Sequence, residues 1–259
     1  MAAWNSTQYL KFEKERNQPC VDLVQRISVA APASIVDLGC GPGNSTQILR
    51  ARWPAAQVTG VDSSEEMLAT ARRSHPSAEW SRADIREWVP TGSTAVVFSN
   101  AALQWLPDHR TLVPRLWSHV APGGALAFQV PARTSPRAAW VEAFHAARAT
   151  LGPSDGPEEN VNESHVLRLE EYYDLLASAG AQRVDLWDTE YDHVLAGPDS
   201  VVEWTRGTAL RPFLAGLAGE PERERFLSAY RREIERQYPT RTGGSVVFPF
   251  LRRFVVAYR

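Results

Sequence analysis

Glycines and acids at fixed spacings carry most of the chemistry legible in this chain. The stretch Ile35-Val36-Asp37-Leu38-Gly39-Cys40-Gly41-Pro42-Gly43-Asn44 ends an apolar run in an acid, then places three glycines within five residues. Glycine takes positive φ readily and leaves no Cβ between backbone and ligand, so Gly39, Gly41 and Gly43 read as a turn that a bound molecule approaches closely. A strand, a glycine turn and a helix start, here at Asn44, together form a nucleotide-type cradle. Asp62 closes Thr59-Gly60-Val61-Asp62-Ser63-Ser64 at the distance from the turn where a carboxylate accepts from both hydroxyls of a ribose. Ser63 and Ser64 can cap the next helix unaided, which releases Asp62 from that duty; Ser63 and Met67 border the same site. Asp84, in Arg82-Ala83-Asp84-Ile85, is placed to accept from an adenine amino group while Ile85 packs on the ring. A solvated loop acid is the competing reading of Asp84.

Two cofactors carry adenosine on such a cradle, the nicotinamide dinucleotide NAD and S-adenosylmethionine (SAM). The dinucleotide fingerprint leaves a helix N-terminus clear for pyrophosphate. Here Asp37 stands two residues before the first glycine, where it repels a pyrophosphate and attracts an ammonium. SAM carries an ammonium, a sulfonium and a carboxylate and has no phosphate, so the turn favours SAM. With lysine only at Lys11 and Lys14, the Tyr-x-x-x-Lys pair of one common oxidoreductase type is also excluded. Cys40 reads as a small residue inside the turn rather than a nucleophile.

The elements that must position these groups follow from periodicity. Residues 33 to 131 alternate short apolar strands with amphipathic helices, the pattern of a parallel sheet. Strands are expected at Ser34–Leu38, Gln57–Asp62, Ala78–Arg82, Ala95–Asn100 and Ala125–Val130, with Gly123-Gly124 as a tight turn before the last. After Pro131 the rhythm changes. Helices are expected at Pro136–Thr150 and Leu169–Ala179, a strand at Arg183–Val194, helical structure over 198–238, and a final strand at Ser245–Tyr258. The expected fold is α/β and Rossmann-like, a mostly parallel seven-stranded sheet with an antiparallel edge strand and a helical cap. One domain spans 1–259, with an N-terminal lid at about 1–28 and a cap built from insertions at about 132–180 and 195–245.

The chain resembles the class I SAM-dependent methyltransferases and, more narrowly, the trans-aconitate 2-methyltransferase family. The likeness rests on Tyr9–Phe12, Asp37–Thr46, Asp62–Ser64, Ser99-Asn100-Ala101-Ala102-Leu103-Gln104-Trp105-Leu106-Pro107-Asp108-His109, Val184–Trp187 and Val247–Phe254. After the fifth strand it departs from the family pattern, reading Val130-Pro131-Ala132-Arg133. The resemblance implies methylation of a small polycarboxylate, trans-aconitate, with S-adenosylhomocysteine as the other product. It places Asn100 at the loop facing the transferred methyl and beside the cofactor. Gln104 and Trp105 then line the pocket, against the alternative that Trp105 is core and Asn100 caps a turn. A carboxylate acceptor is already anionic and needs no general base. A polycarboxylate does need cations, and Arg16, Arg211 and Arg252 are the candidates, with hydroxyls from Tyr172 and Tyr173 and an N-terminal contact from Tyr9. Adjacent strand residues face opposite ways, so at most one of Arg252 and Arg253 reaches a pocket.

Composition narrows the partners. The formal charge of −2 leaves no electrostatic footprint for nucleic acid, and no apolar run is long enough for a membrane span. Two cysteines and six unpaired histidines give no metal motif. A cytoplasmic enzyme on a small carboxylate is expected, with the oligomeric state open and a monomer compatible. The alternatives are a SAM-dependent methyltransferase of another small molecule, such as a secondary metabolite, a SAM-binding regulator, and an NAD-dependent oxidoreductase.

Overall fold

The computed structural model describes residues 12–152 and 165–259. Seven strands, β1 (Ser34–Leu38), β2 (Gln57–Asp62), β3 (Glu79–Arg82), β4 (Thr94–Asn100), β5 (Val120–Pro131), β6 (Arg183–Leu195) and β7 (Val246–Tyr258), form one sheet in the order β3-β2-β1-β4-β5-β7-β6. Strands β1 to β5 pair in parallel, and β7 runs antiparallel to β5. The strand order reverses between β1 and β4. The crevice outside the carboxyl ends of strands at such a switch point is where open α/β sheets bind ligands.

Nine α-helices are assigned among the described residues: α1 (Glu13–Arg26), α2 (Asn44–Arg52), α3 (Glu65–Ser74), α4 (His109–Ser118), α5 (Ala139–Ala149), α6 (Leu169–Ser178), α7 (Pro198–Arg206), α8 (Arg211–Gly216) and α9 (Glu220–Gln237). Their ends obey local rules. Ser64 caps α3 by accepting from the Met67 amide, with Glu65 and Glu66 in the first turn and Arg72 and Arg73 in the last. Helix α6 ends in a Schellman turn: Gly180, at φ 88°, donates to Ala177 and Ala181 donates to Leu176.

The described residues divide into two compact units, one of 12–131, His165–Thr189 and Arg252–Arg259, the other of 132–152 and Glu190–Leu251. In the sheet unit, Val36, Leu38, Val97, Leu126, Phe128, Val130 and Val255 pack with Leu112, Leu116, Tyr172 and Leu176 from α4 and α6. Helix α6 therefore falls with the sheet and not with the expected cap, because its buried face closes the core. Residues 13–26 form α1, which packs against α2 and β5 and buries Cys20, Leu23 and Val24; residues 1–11 lie outside the described set. In the second unit α9 packs on α5 and α7. Phe226, Tyr230, Ile234 and Tyr238 are buried at the expected i+4 spacing, and Phe213 meets Phe144 and Phe226 with ring centroids 5.0 and 4.7 Å apart.

Gly123-Gly124 is a bulge inside β5 rather than a turn before it. The register shifts between Thr94/Val120 and Val96/Ala125, and a Cβ on Gly124 would stand 2.3 Å from the Ala95 carbonyl oxygen.

Candidate functional site

The three glycines of the β1 turn all adopt positive φ, 75°, 54° and 99° at Gly39, Gly41 and Gly43. They make room for different neighbours. A Cβ on Gly39 would meet the Ala102 Cβ at 2.2 Å, and one on Gly43 would meet the Trp80 ring at 2.6 Å. A Cβ on Gly41 would meet nothing within 4 Å among the described residues. Of the three glycines, Gly41 is therefore the one whose missing side chain leaves room for a ligand. The other two let β3 and the loop after β4 close on the turn, which corrects the expectation that all three face the ligand.

The turn is tied to β2 by the amides of Gly39 and Cys40, which both donate to the Val61 carbonyl, at 2.8 and 3.0 Å. Asp62 then holds the turn and the start of α3 at once, accepting from Gly41 N at 2.9 Å and Ser64 N at 2.8 Å, one bond per carboxylate oxygen. Each oxygen keeps further acceptor capacity, as a ribose diol requires. Ser63 is exposed beside it, Met67 is buried under the first turn of α3, and Asn44 opens α2.

Asp37 is completely buried. Its Oδ2 accepts from the hydroxyls of Ser45 and Thr46, both at 2.6 Å, and its Oδ1 is buried without a hydrogen-bond partner among the described residues. Burial raises its pKa from 3.8 to about 6, against the two hydroxyls, with the nearby Asp62 charge adding to the rise. An acid so placed is under-solvated until a cation approaches. The Cys40 thiol is likewise buried and pushed far above its usual range, first by desolvation and then by Asp37 and Asp62, so it is no nucleophile.

Asp84 is held by Arg86, which donates from Nη2 at 2.6 Å and from Nε at 3.0 Å; Arg86 holds the carboxyl below its usual range. Ile85 lies against the turn, its Cδ1 3.4 Å from where a Gly39 Cβ would stand. The Arg115 guanidinium donates to the carbonyls of Ile85 and Trp88 and pins this segment over α4.

Asn100 ends β4, and Ala101 follows at φ 53°, a left-handed conformation uncommon outside glycine. Gln104 Nε2 donates to the Ala101 carbonyl at 2.6 Å, leaving its Oε1 buried and unpartnered among the described residues, while Trp105 is 38% exposed and so is not core. A residue outside every motif completes this group. Gln129, fully buried on β5, donates from Nε2 to Asn100 Oδ1 at 2.6 Å. Its signal was a polar side chain inside the otherwise apolar run Ala125–Val130.

Beneath the loop, His109 donates from Nε2 to the Leu103 carbonyl at 2.9 Å, so its Nδ1 accepts the Tyr172 hydroxyl at 2.5 Å. Tyr172 is completely buried, accepts from Leu167 N at 3.2 Å and sets its ring edge-on to Phe128. Tyr172 is thus a core residue and not a substrate ligand, a correction to the sequence expectation. Tyr173, its neighbour on α6, is 48% exposed. Arg252, on β7 in register with Pro131, is buried. Arg253 points to the opposite face and is committed to Asp188, at 3.0 and 2.9 Å, and to the Leu167 carbonyl at 2.7 Å. Arg211 opens α8 in the second unit and is half-buried there. Tyr9 lies outside the described residues, as does the side chain of Arg16.

A methyltransferase-domain family model matches residues 35–124, the stretch that holds the glycine turn, Asp62, Asp84 and Asn100. Over the full length the chain is 45% identical to a trans-aconitate 2-methyltransferase of Azoarcus sp. (strain BH72), covering 100% of each chain. It is 40% identical to the enzyme of that name from Escherichia coli (strain 55989 / EAEC), covering 100% of this chain and 99% of the other. The chain belongs to the trans-aconitate 2-methyltransferase family. Its enzyme class is SAM-dependent methyltransferase and its cofactor SAM. Solved structures share the fold. The YcgJ protein of Bacillus subtilis aligns with a TM-score of 0.58 at 14% identity, covering 93% of this chain and 98% of the other. A Haemonchus contortus phosphoethanolamine N-methyltransferase in complex with phosphomonomethylethanolamine and S-adenosylhomocysteine aligns at 0.56 and 16%, covering 93% and 52%.

The residues present fit SAM: open space at Gly41, spare acceptor capacity on Asp62 and an under-solvated Asp37 oxygen. Among the described residues no three His, Cys, Asp or Glu side chains gather as a metal site, and no helix is long and apolar enough to cross a membrane.

Proposed function

We propose that this chain transfers the methyl group of SAM to a carboxylate oxygen of trans-aconitate, giving its monomethyl ester. The observation that carries this reading is the full-length identity of 40 to 45% with enzymes bearing that name. When bound, SAM supplies an electrophilic methyl on sulfonium; the carbon–sulfur bond breaks as the carbon–oxygen bond forms, and no proton moves. The chain's own residues then have two tasks, to hold the reactants in line and to exclude water.

The loop chemistry supports an acceptor that is already anionic. His109 has both ring nitrogens engaged, by the Tyr172 hydroxyl and the Leu103 carbonyl, so it is no general base for an acceptor at the Asn100 loop. Asp62, Ser63 and the Gly41 backbone are assigned to the ribose, Asp84 and Ile85 to the adenine, and Asp37 to the cationic end of the cofactor. Asn100, Gln104 and Trp105 are assigned to the reacting groups. Arg252 is assigned to the acceptor's remaining carboxylates, Tyr173 being a weaker candidate.

Calorimetry with SAM, followed by label transfer from methyl-labelled SAM to trans-aconitate, tests the reading. Binding of SAM with ester formation is expected, and Asp62→Ala should raise the SAM Kd by roughly a hundredfold through loss of charge-assisted hydrogen bonds. Normal SAM binding without ester sinks the acceptor assignment and leaves the cofactor assignment standing.

A further inference from the structure

Gln129 holds the loop after β4 with both its side chain and its main chain. Its Nε2 donates to Asn100 Oδ1 at 2.6 Å, and its carbonyl accepts the Ala101 amide at 3.0 Å. Asn100 and Gln129 are register partners on adjacent strands, so their side chains leave the same face of the sheet. Ala101 sits at φ 53°, a conformation that costs a residue with a Cβ roughly 1 kcal/mol or more, and its amide is bonded to the Gln129 carbonyl while its carbonyl is bonded to Gln104. The side chain of Gln129 is completely buried, and its Oε1 has no partner among the described residues.

Gln129 takes one lone pair of Asn100 Oδ1 and turns that carbonyl toward β5, so the two hydrogens of Nδ2 leave the amide on its other side. We propose that Gln129 is a positioning residue that sets acceptor class: by turning the Asn100 carbonyl inward it presents N–H donors to the reacting group, which selects a carboxylate over a hydroxyl or an amine. The proposal rests on the carboxylate reading above. A carboxylate accepts those donors directly. An alcohol or amine must shed a proton and is served by an acceptor, which Gln129 has turned away from the reacting group. The charged groups sharing this face by register are Asp37, partnered with Phe98, and Arg252, partnered with Pro131; both are common to every variant below.

Gln129→Glu separates positioning from packing. Protonated, the new carboxyl donates to Asn100 Oδ1 as the amide does; ionised, it accepts from Nδ2 and turns the Asn100 carbonyl toward the acceptor. The acceptor kcat/KM of this variant should rise roughly tenfold as the pH is lowered from about 8 to about 5.5, with no such rise in the wild type. The SAM Kd by calorimetry should stay within about threefold of wild type throughout. Gln129→Leu should be impaired at both pH values, and in an Asn100→Ala background neither substitution should cost anything further. A Gln129→Glu profile that parallels wild type, or a Gln129→Leu loss undiminished in the Asn100→Ala background, overturns the proposal. If the wild type binds SAM yet methylates no carboxylate, the acceptor reading has failed. The orientation of Asn100 is then read from its side-chain NH2 resonances, identified by their loss in Asn100→Ala. Their movement with pH in Gln129→Glu but not in wild type supports the positioning role, and their constancy overturns it.

Discussion

A Cβ placed on Gly39 would stand 2.2 Å from the Cβ of Ala102, so the turn after β1 and the loop after β4 touch directly at the switch point of the sheet. Gly39 also holds φ at 75°, and a substitution there meets two penalties, steric and conformational. Gly39→Ala should lose about 2–4 kcal/mol of stability in urea melts and raise the SAM Kd at least roughly tenfold. Combining it with Ala102→Gly should return the steric share and leave the backbone share. If Gly39→Ala costs as much with Ala102→Gly as without, the contact is not what demands glycine.

Asp37 gives a pH dependence of unusual sign for an acid. Its folded-state pKa of about 6 lies above the ordinary 3.8, so the folded protein holds this proton more tightly than the unfolded chain. Its contribution to stability is therefore full below pH 3.8 and is lost as pH rises through about 6, a difference on the order of 3 kcal/mol. Asp37→Asn should make the ligand-free protein more stable at about pH 8 and remove this slope, while weakening SAM binding. In the wild type, SAM affinity should rise with pH through about 6, with a proton released on binding. Calorimetry in buffers of different ionisation enthalpy reads that proton directly, and a release of zero near pH 6 would refute the assignment of Asp37 to the cationic ligand.

The fold was legible because β1 to β5 are short apolar runs punctuated by glycine, proline and acids, and the site because its backbone-defining residues lie in one stretch. What was not legible depended on contacts from distant strands. Glycine at 43 announces that something approaches, but the approaching group is Trp80 on β3, which the turn sequence does not encode. Gln129 sits in a run whose burial hides its purpose until the β4–β5 register pairs it with Asn100. Tyr172 has the composition of a ligand and the surroundings of a core residue, and only the packing of α6 beneath β5 distinguishes them. The bulge at Gly123-Gly124 escaped because a glycine pair reads equally as a turn and as a close backbone approach.

Arg252 and Arg253 should behave oppositely although they are adjacent. Arg253 is 7% exposed and locked to Asp188 through two hydrogen bonds, so Arg253→Ala leaves a carboxylate partly buried without its partner. A loss of about 3 kcal/mol in stability is expected, with acceptor KM little changed in the protein that remains folded. Arg252→Ala should instead raise the acceptor KM roughly tenfold or more and spare the SAM Kd, as removal of a bidentate carboxylate contact does. Unchanged acceptor kinetics would remove Arg252 from the acceptor site.

His109 and Tyr172 supply a last test, because the two roles considered for Tyr172 predict different observables. The hydroxyl pairs with His109 Nδ1 and accepts from Leu167 N, while His109 Nε2 holds the Leu103 carbonyl at the start of the loop that carries Gln104 and Trp105. Tyr172→Phe should cost about 1–3 kcal/mol of stability, since it strands buried polar partners, and should leave acceptor KM unchanged. A raised KM with unaltered stability would restore Tyr172 as a ligand. Burial lowers the His109 pKa, so its sign opposes that of Asp37: stability from this residue is present above the ordinary value of 6.5 and is lost as pH falls through the lowered one. His109→Phe should abolish that acid sensitivity and, by releasing Leu103, lower kcat more than it changes the SAM Kd. Equal losses in both would mean that the histidine supports the whole sheet edge rather than the loop.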